Sequence, residues 1–194
     1  MNMKKLLILL SFWCAAISAN AALITIDVED KNYGINDTLT ANVIISELED
    51  GLGFQVLVSE FSFDFNFEES LLDFGQVTFG NKLDVESFFG DVSEKNLTNS
   101  PSQLTISEVA AIMLFNELDD AQRGLSSFLL ASIDFTVIGQ GDAKFSLSNV
   151  EIYDDLGNLH ETINTQVAVP EPSTMAILVL ALLMLISMKR KAKH

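Results

Sequence analysis

The residues of this chain that could do chemistry are mostly acids. Two adjacent pairs stand out, Asp119-Asp120 and Asp154-Asp155. Paired carboxylates can share acid and nucleophile work at a glycosidic bond, but they must flank the sugar at roughly 5–9 Å. Neighbours on one turn rarely meet that spacing, so both pairs read as solvated turn acids. Asp154, Asp155 and Asn158 form a second candidate, an oxygen set for Ca²⁺ within one turn. Calcium takes about six to eight oxygen ligands, and fewer are visible here. Histidine occurs only at His160 and His194, and cysteine only at Cys14. One cysteine excludes a disulfide framework, a Cys-based zinc site and an iron–sulfur cluster. His160 follows a turn and reads as a solvated strand-edge residue. No Gly-x-Ser-x-Gly elbow, phosphate loop or His-Glu-x-x-His motif is present. No catalytic set and no cofactor is expected. Sugar-stacking platforms usually need exposed Trp or Tyr, and the chain has only Trp13, Tyr33 and Tyr153.

The elements that must hold these residues follow from length and pattern. The chain has 194 residues, with 48% hydrophobic and 20% charged, enough for one well-buried domain plus extra segments. Lys and Arg number 11 against 27 Asp and Glu, a net charge of −16. Such a balance argues against nucleic acid as partner, because phosphate binding needs a basic surface. The 148 residues of 22–169 hold 26 of the acids and only five bases, a net of about −21. This charge keeps an exported domain soluble.

Alternation with a period of two dominates that region. Ile24, Ile26 and Val28 form one apolar row, and Leu39, Ala41, Val43 and Ile45 a second. Phe61, Phe63, Phe65 and Phe67 alternate with Ser62, Asp64 and Asn66. Leu129, Ala131, Ile133, Phe135 and Val137 alternate with Ser132, Asp134 and Thr136. Shorter strands are expected at Gly53–Val58, Val77–Phe79, Leu104–Ser107 and Lys144–Ile152. In the last, the apolar register slips between Leu147 and Val150, which predicts a bulge. Turn signals at Asn36-Asp37, Asp50-Gly51, Gly139 to Asp142 and Asp154 to Asn158 separate the runs. Glu69 to Leu72 reads as a helical turn, and Ala110 to Arg123 as either a strand with a loop or a short helix. With no long helical pattern between strands, a mainly β fold is predicted: a single sandwich of two packed antiparallel sheets.

Both ends read as addresses. Lys4 and Lys5, the apolar run Leu6 to Ala16 and the small-x-small site Ala19-Asn20-Ala21 form a secretory signal helix at 1–21, with cleavage after Ala21. Phe12-Trp13 is too bulky to precede a lipoprotein site at Cys14. At the other end, 170–194, Pro170-Glu171-Pro172 breaks regular structure, an apolar helix is predicted over 173–188, and Lys189, Arg190, Lys191 and Lys193 close the chain. Sixteen residues make about 24 Å of helix, against a bilayer core of about 30 Å, so the transmembrane span is marginal. The basic end would stay cytoplasmic and leave the acidic domain outside. Val169-Pro170-Glu171-Pro172-Ser173-Thr174, the apolar run and the basic end together resemble the PEP-CTERM sorting signal of Gram-negative bacteria. That resemblance implies an exosortase as processing enzyme and a setting of extracellular polysaccharide production. The helix lacks glycine and the end is rich in lysine, two departures from many such tails.

The segment Phe61 to Gly75, and Phe128 to Val137 followed by Gly139, Gly141, Phe145 to Tyr153 and Asp154 to Gly157, resemble the cohesin-like β-sandwich, a fold also shared with some carbohydrate-binding modules. This implies a polysaccharide or a dockerin-like protein as partner. The leading expectation is an exported, non-enzymatic binding or structural module, first anchored in the inner membrane and then placed on the cell surface or in the extracellular matrix. The competing readings are a secreted polysaccharide hydrolase built from scattered acids and a permanently anchored single-span protein.

Overall fold

The computed structural model describes residues 22–50, 53–85, 93–111, 115–160, 162–164 and 167–168. The terminal signals, with Ala19, Ala21, Pro170, Glu171, Pro172, Lys189, Arg190, Lys191 and Lys193, lie outside the described residues.

Eleven described strands form two sheets. Sheet I runs β10 (Thr162–Asn164), β1 (Ala22–Val28), β2 (Thr38–Ser46), β7 (Ser127–Val137), β4 (Leu72–Phe79). Sheet II runs β11 (Val167–Ala168), β8 (Lys144–Asp154), β3 (Val58–Asn66), β6 (Gln103–Val109), β5 (Glu94–Ser100), and β9 (Leu159–His160) also pairs with β8. Pairing is antiparallel throughout except at the sheet I margin, where β10 lies parallel to β1. The predicted two-sheet sandwich is therefore the observed architecture.

The alternating rows meet between the sheets. Ile24, Leu39, Val43, Ile45 and Phe135 from sheet I face Phe61, Phe63, Phe65, Leu104, Ile106 and Phe145 from sheet II, all at or near zero exposure. Phe65 and Phe135, on opposite sheets, stack at 5.9 Å between ring centroids, and Phe145 sits 5.3 Å from Phe65. Such aromatic contacts add to the burial of apolar area that drives the sheets together. The expected bulge is present. Ser62 pairs with Glu151 and Asp64 with Ser148, so Asn149 and Val150 together face the single residue Phe63. Asn149 takes the left-handed conformation, φ 50°, a region that Asn tolerates better than most residues.

Three expectations need correction, and one strand lies where none is expected. The β7 row breaks at its start: Phe128 and Leu130 are buried and Leu129 is only half-buried, because a bulge opposite Val43 and Ile44 inserts Leu130. Leu129 therefore belongs to the outer face. Gly53–Val58 is not a strand; Gln55 makes an isolated bridge to Glu49, and Val58 opens β3. Strand β5 was not foreseen, since Glu94 to Ser100 is exposed at every position and carries no apolar alternation. Its polar sequence suits an edge strand, where apolar side chains would invite aggregation. The short strand expected at Val77–Phe79 is the end of a longer one, Leu72–Phe79.

The ambiguous stretch contains a helix, α1 (Phe115–Gln122). Its last residue is fully buried. Gln122 Oε1 accepts the Val58 N–H at 2.8 Å, and its Nε2 donates to the Val58 carbonyl at 2.7 Å and the Lys82 carbonyl at 3.1 Å. The side-chain amide thus pairs with Val58 as a neighbouring strand would. Glu69 to Leu71 forms a turn, with the Leu71 and Leu72 N–H groups donating to the Glu68 carbonyl. Gly80 lies so close to β7 that an added Cβ would stand 2.0 Å from the Leu129 carbonyl oxygen. Only glycine fits there.

Candidate functional site

In a strand, residues two apart share a face, and register then lines them up across the sheet. On the outer face of sheet II this generates four rows from β5 across β6 and β3 to β8. They are Glu94, Val109, Glu60, Tyr153; then Asn96, Ser107, Ser62, Glu151; then Thr98, Thr105, Asp64, Ser148; and finally Ser100, Gln103, Asn66, Ser146. The sequence placed these residues opposite the phenylalanine row, so a polar outer surface was unavoidable once the Phe side turned inward.

These side chains are tied to one another. Thr105 Oγ1 donates to Asp64 Oδ1 at 2.6 Å, and Asn149 Nδ2 donates to Asp64 Oδ2 at 2.6 Å. Asn66 Nδ2 donates to Ser148 Oγ at 2.9 Å, and Gln103 Nε2 donates to Asn66 Oδ1 at 3.0 Å. Asp64 is only 8% exposed although it faces outward, because its neighbours close over it. The bulge is what permits this: the extra residue on β8 brings the Asn149 amide to the carboxylate. The result is a polar face whose centre is fixed by mutual hydrogen bonds and whose margin carries Glu60, Glu94 and Glu151. Sequence reasoning read Asp64 only as the polar half of an alternation. The signals that could have marked it were the polar run Ser62, Asp64, Asn66 and the register slip at Leu147–Val150.

The sequence-proposed acids are occupied elsewhere. Asp119 and Asp120 both contact the Arg123 guanidinium on the surface of the helix end. Asp154 closes its own turn. Oδ1 accepts the N–H groups of Leu156 (3.0 Å) and Asn158 (2.7 Å), and Oδ2 accepts Asn158 Nδ2 (2.9 Å) and lies 3.1 Å from His160 Nε2. Burial pushes the Asp154 carboxyl up, and the hydrogen bonds from Asn158, His160 and Leu156 outweigh it, leaving it below the ordinary carboxylate range. His160 thus has a structural partner rather than a purely solvated edge position. Among the described residues no group of three or more His, Cys, Asp and Glu is arranged to hold a metal ion.

One further acid lies on the inner side of sheet II. Glu108 is 1% exposed, accepts a hydrogen bond from Ser93 Oγ at 2.5 Å, and lies 3.7 Å from Lys95 Nζ. Lys95 in turn binds Asp84 at 2.9 Å. Burial pushes the Glu108 carboxyl up against the Ser93 bond and the Lys95 charge, whereas the Lys95 hydrogen bond holds Asp84 down.

No family model matches the chain, and no curated protein does either. Solved structures do. The chain is similar to a type II cohesin domain from the cellulosome of Acetivibrio cellulolyticus, with TM-score 0.59 and 12% identity over 77% of this chain and 95% of that one. It is also similar to the cohesin module of a Clostridium perfringens family 33 glycoside hydrolase, with TM-score 0.56 and 14% identity over 77% and 96%. A third is the sixth cohesin of Acetivibrio cellulolyticus scaffoldin B, solved in complex with a Cel5 dockerin mutant, with TM-score 0.56 and 14% identity over 77% and 99%. The fold is a cohesin-like β-sandwich.

Proposed function

We propose that this chain is an exported, non-enzymatic module that binds a partner protein on the outer face of sheet II, the partner being dockerin-like. The carrying observation is the hydrogen-bonded lattice centred on Asp64. A face whose side chains are already ordered loses little conformational entropy when a partner docks. The margin of Glu60, Glu94 and Glu151 favours a partner with basic residues around a polar centre. The cohesin–dockerin complex among the similar structures supports a protein partner. A sugar ligand has less support, because no Trp and only one Tyr, Tyr153, lies in the four rows.

Export and sorting complete the reading and rest on the sequence: the 1–21 signal, the Pro170-Glu171-Pro172 motif for an exosortase-type enzyme, and the helix 173–188 with its basic end. They fit a module delivered to the cell surface or to an exopolysaccharide matrix. The test is a photo-crosslinking residue at Ser107, which lies on the same face outside the Asp64 lattice, with one at Thr40 on sheet I as control, in the native exporting cell. A single protein captured from Ser107 and not from Thr40 is the expected result. Equal capture, or capture from Thr40 alone, would overturn the assignment of the face.

A further inference from the structure

A second surface lies on the side of the sandwich, away from the sheet II face. Strands β4 and β5 are the terminal strands of their sheets and lie on the same side, since residues of both line one cleft and Lys95 of β5 sits over the Phe79 ring of β4. Among the described residues nothing pairs with their free edges, so each offers unpaired backbone N–H and C=O groups. Between them opens a cleft of about 380 Å³. Phe67 and Leu72 are buried and close its floor, Phe74 and Pro101 supply its accessible apolar surface, and Asn99 and Ser100 line it from the β5 side. Its remaining side chains include two acids, Glu69 and Asp73, and no Lys or Arg. Both acids are exposed, and no hydrogen bond or ion pair engages either of them among the described residues. Beside the cleft, Leu97 is 43% exposed although its register with Ile106 puts it on the inner side of sheet II. The sandwich is therefore incompletely covered along this side.

We infer that this cleft docks a short extended segment of a partner protein in which a lysine or arginine stands next to aliphatic residues. The accessible surface of Phe74 and Pro101, with Leu97 beside it, takes the aliphatic side chain, and the edge strands offer backbone hydrogen bonds of the kind used in strand addition. The two acids, set in a domain of net charge about −21, select a cation and reject an acidic segment. The volume lies at the lower end of the range for small binding pockets and suits a few side chains rather than a folded surface. This site is independent of the sheet II face and stands whether or not that face binds its partner.

The test uses the full chain and two capped peptides, acetyl-LKVKL-amide and acetyl-LEVEL-amide, followed by calorimetry. The basic peptide should bind saturably and the acidic one should not. The double variant Glu69→Gln, Asp73→Asn, whose sites are exposed and whose fold is checked by circular dichroism, should bind the basic peptide roughly tenfold more weakly, as loss of two exposed charge contacts implies. High salt should weaken wild-type binding in the same direction. Absence of saturable binding by the basic peptide, equal binding of the two peptides, or unchanged affinity in the double variant would each overturn the inference.

Discussion

The two outer faces of the sandwich use the same device to different ends. Each carries a central aspartate held by a threonine from one neighbouring strand and an amide from the other, next to a bulge. On sheet II, Asp64 takes Thr105 and Asn149 at 2.6 Å each. On sheet I, Asp134 takes Thr40 Oγ1 at 2.7 Å and Gln76 Nε2 at 3.0 Å, and the bulge is at Gly75 on β4. The surroundings differ. Asp64 sits in a lattice that runs on through Asn66 to Gln103 and Ser148. Asp134 is more exposed, and two cross-strand rows away sheet I turns to a half-buried apolar strip of Ile44 and Leu129, with Leu23 diagonal to them. A carboxylate closed over by its donors fixes a surface; one that shares its acceptor sites with water pins only a local register. The comparison teaches that preorganisation, rather than polarity, separates the two faces.

The largest effect should come from Asp64→Ala. It removes two hydrogen bonds to a largely buried carboxylate, and bonds to a charged group contribute about 1.5–3 kcal/mol each, partly regained here because Thr105 and Asn149 are exposed and can turn to water. A loss of about 3 kcal/mol is expected in urea unfolding. Asp134→Ala should cost about 1 kcal/mol, since its more exposed carboxylate already shares its acceptor sites with water. Equal losses would break the comparison.

Asn149 tests whether the bulge or the side chain matters more. Asn149→Ala removes the donor to Asp64 and leaves a β-carbon at positive φ, so about 2 kcal/mol should be lost. Asn149→Gly removes the donor but relaxes the backbone, and the loss should fall to about 1 kcal/mol. If glycine proves worse than alanine, the left-handed conformation is not what holds this corner.

How much of this was legible in the sequence follows from the range of the interactions. Phe61 to Phe67, Leu39 to Ile45 and Ile24 to Val28 alternate locally, and each strand follows from its own residues. The β8 bulge was legible too, because an apolar register slip is visible within one strand. β5 was not, since an edge strand made of polar residues has no periodicity to read. The β7 register was missed because consecutive Leu129 and Leu130 fit either face, and only pairing with Val43 and Ile44 decides between them. The site itself depends on Asp64 meeting Thr105 and Asn149, residues 41 and 85 positions away. No local pattern contains that juxtaposition.

The inner acid of sheet II should respond to pH with the opposite sign from the turn acid Asp154. Glu108 has its folded pKa raised, so its contribution is fully present below the ordinary glutamate value of 4.5 and is lost as pH rises through the raised folded value. Glu108→Gln should therefore be as stable as wild type or more so at pH 7, by up to about 1 kcal/mol, with the advantage gone near pH 4. Asp154 has its folded pKa lowered, so it stabilises above the ordinary aspartate value of 3.8 and loses that contribution as pH falls through the lower folded value. Asp154→Asn should be less stable than wild type at pH 7, with the gap closing in strong acid. Thermal melts across pH check both signs, and parallel curves for the two variants would refute the assigned environments.

The smallest effect on stability should sharpen the comparison most. Thr98 on β5 and Thr78 on β4 are both exposed, both on edge strands, and both on the outer face of their own sheet. Substituting arginine at either site touches no buried group, so each variant should lie within about 0.5 kcal/mol of wild type. They should part in binding. Thr98 continues the row of Thr105, Asp64 and Ser148, so Thr98→Arg sets a long cation where a docked partner must lie flat. The same cation faces a partner chosen for basic residues by Glu60, Glu94 and Glu151, so repulsion adds to the steric obstruction. Thr78→Arg adds equal charge and bulk on sheet I and should leave capture from the Ser107 crosslinking position unchanged. If both variants reduce capture alike, the loss reports the added charge alone; if only Thr78→Arg does so, the binding face belongs to sheet I.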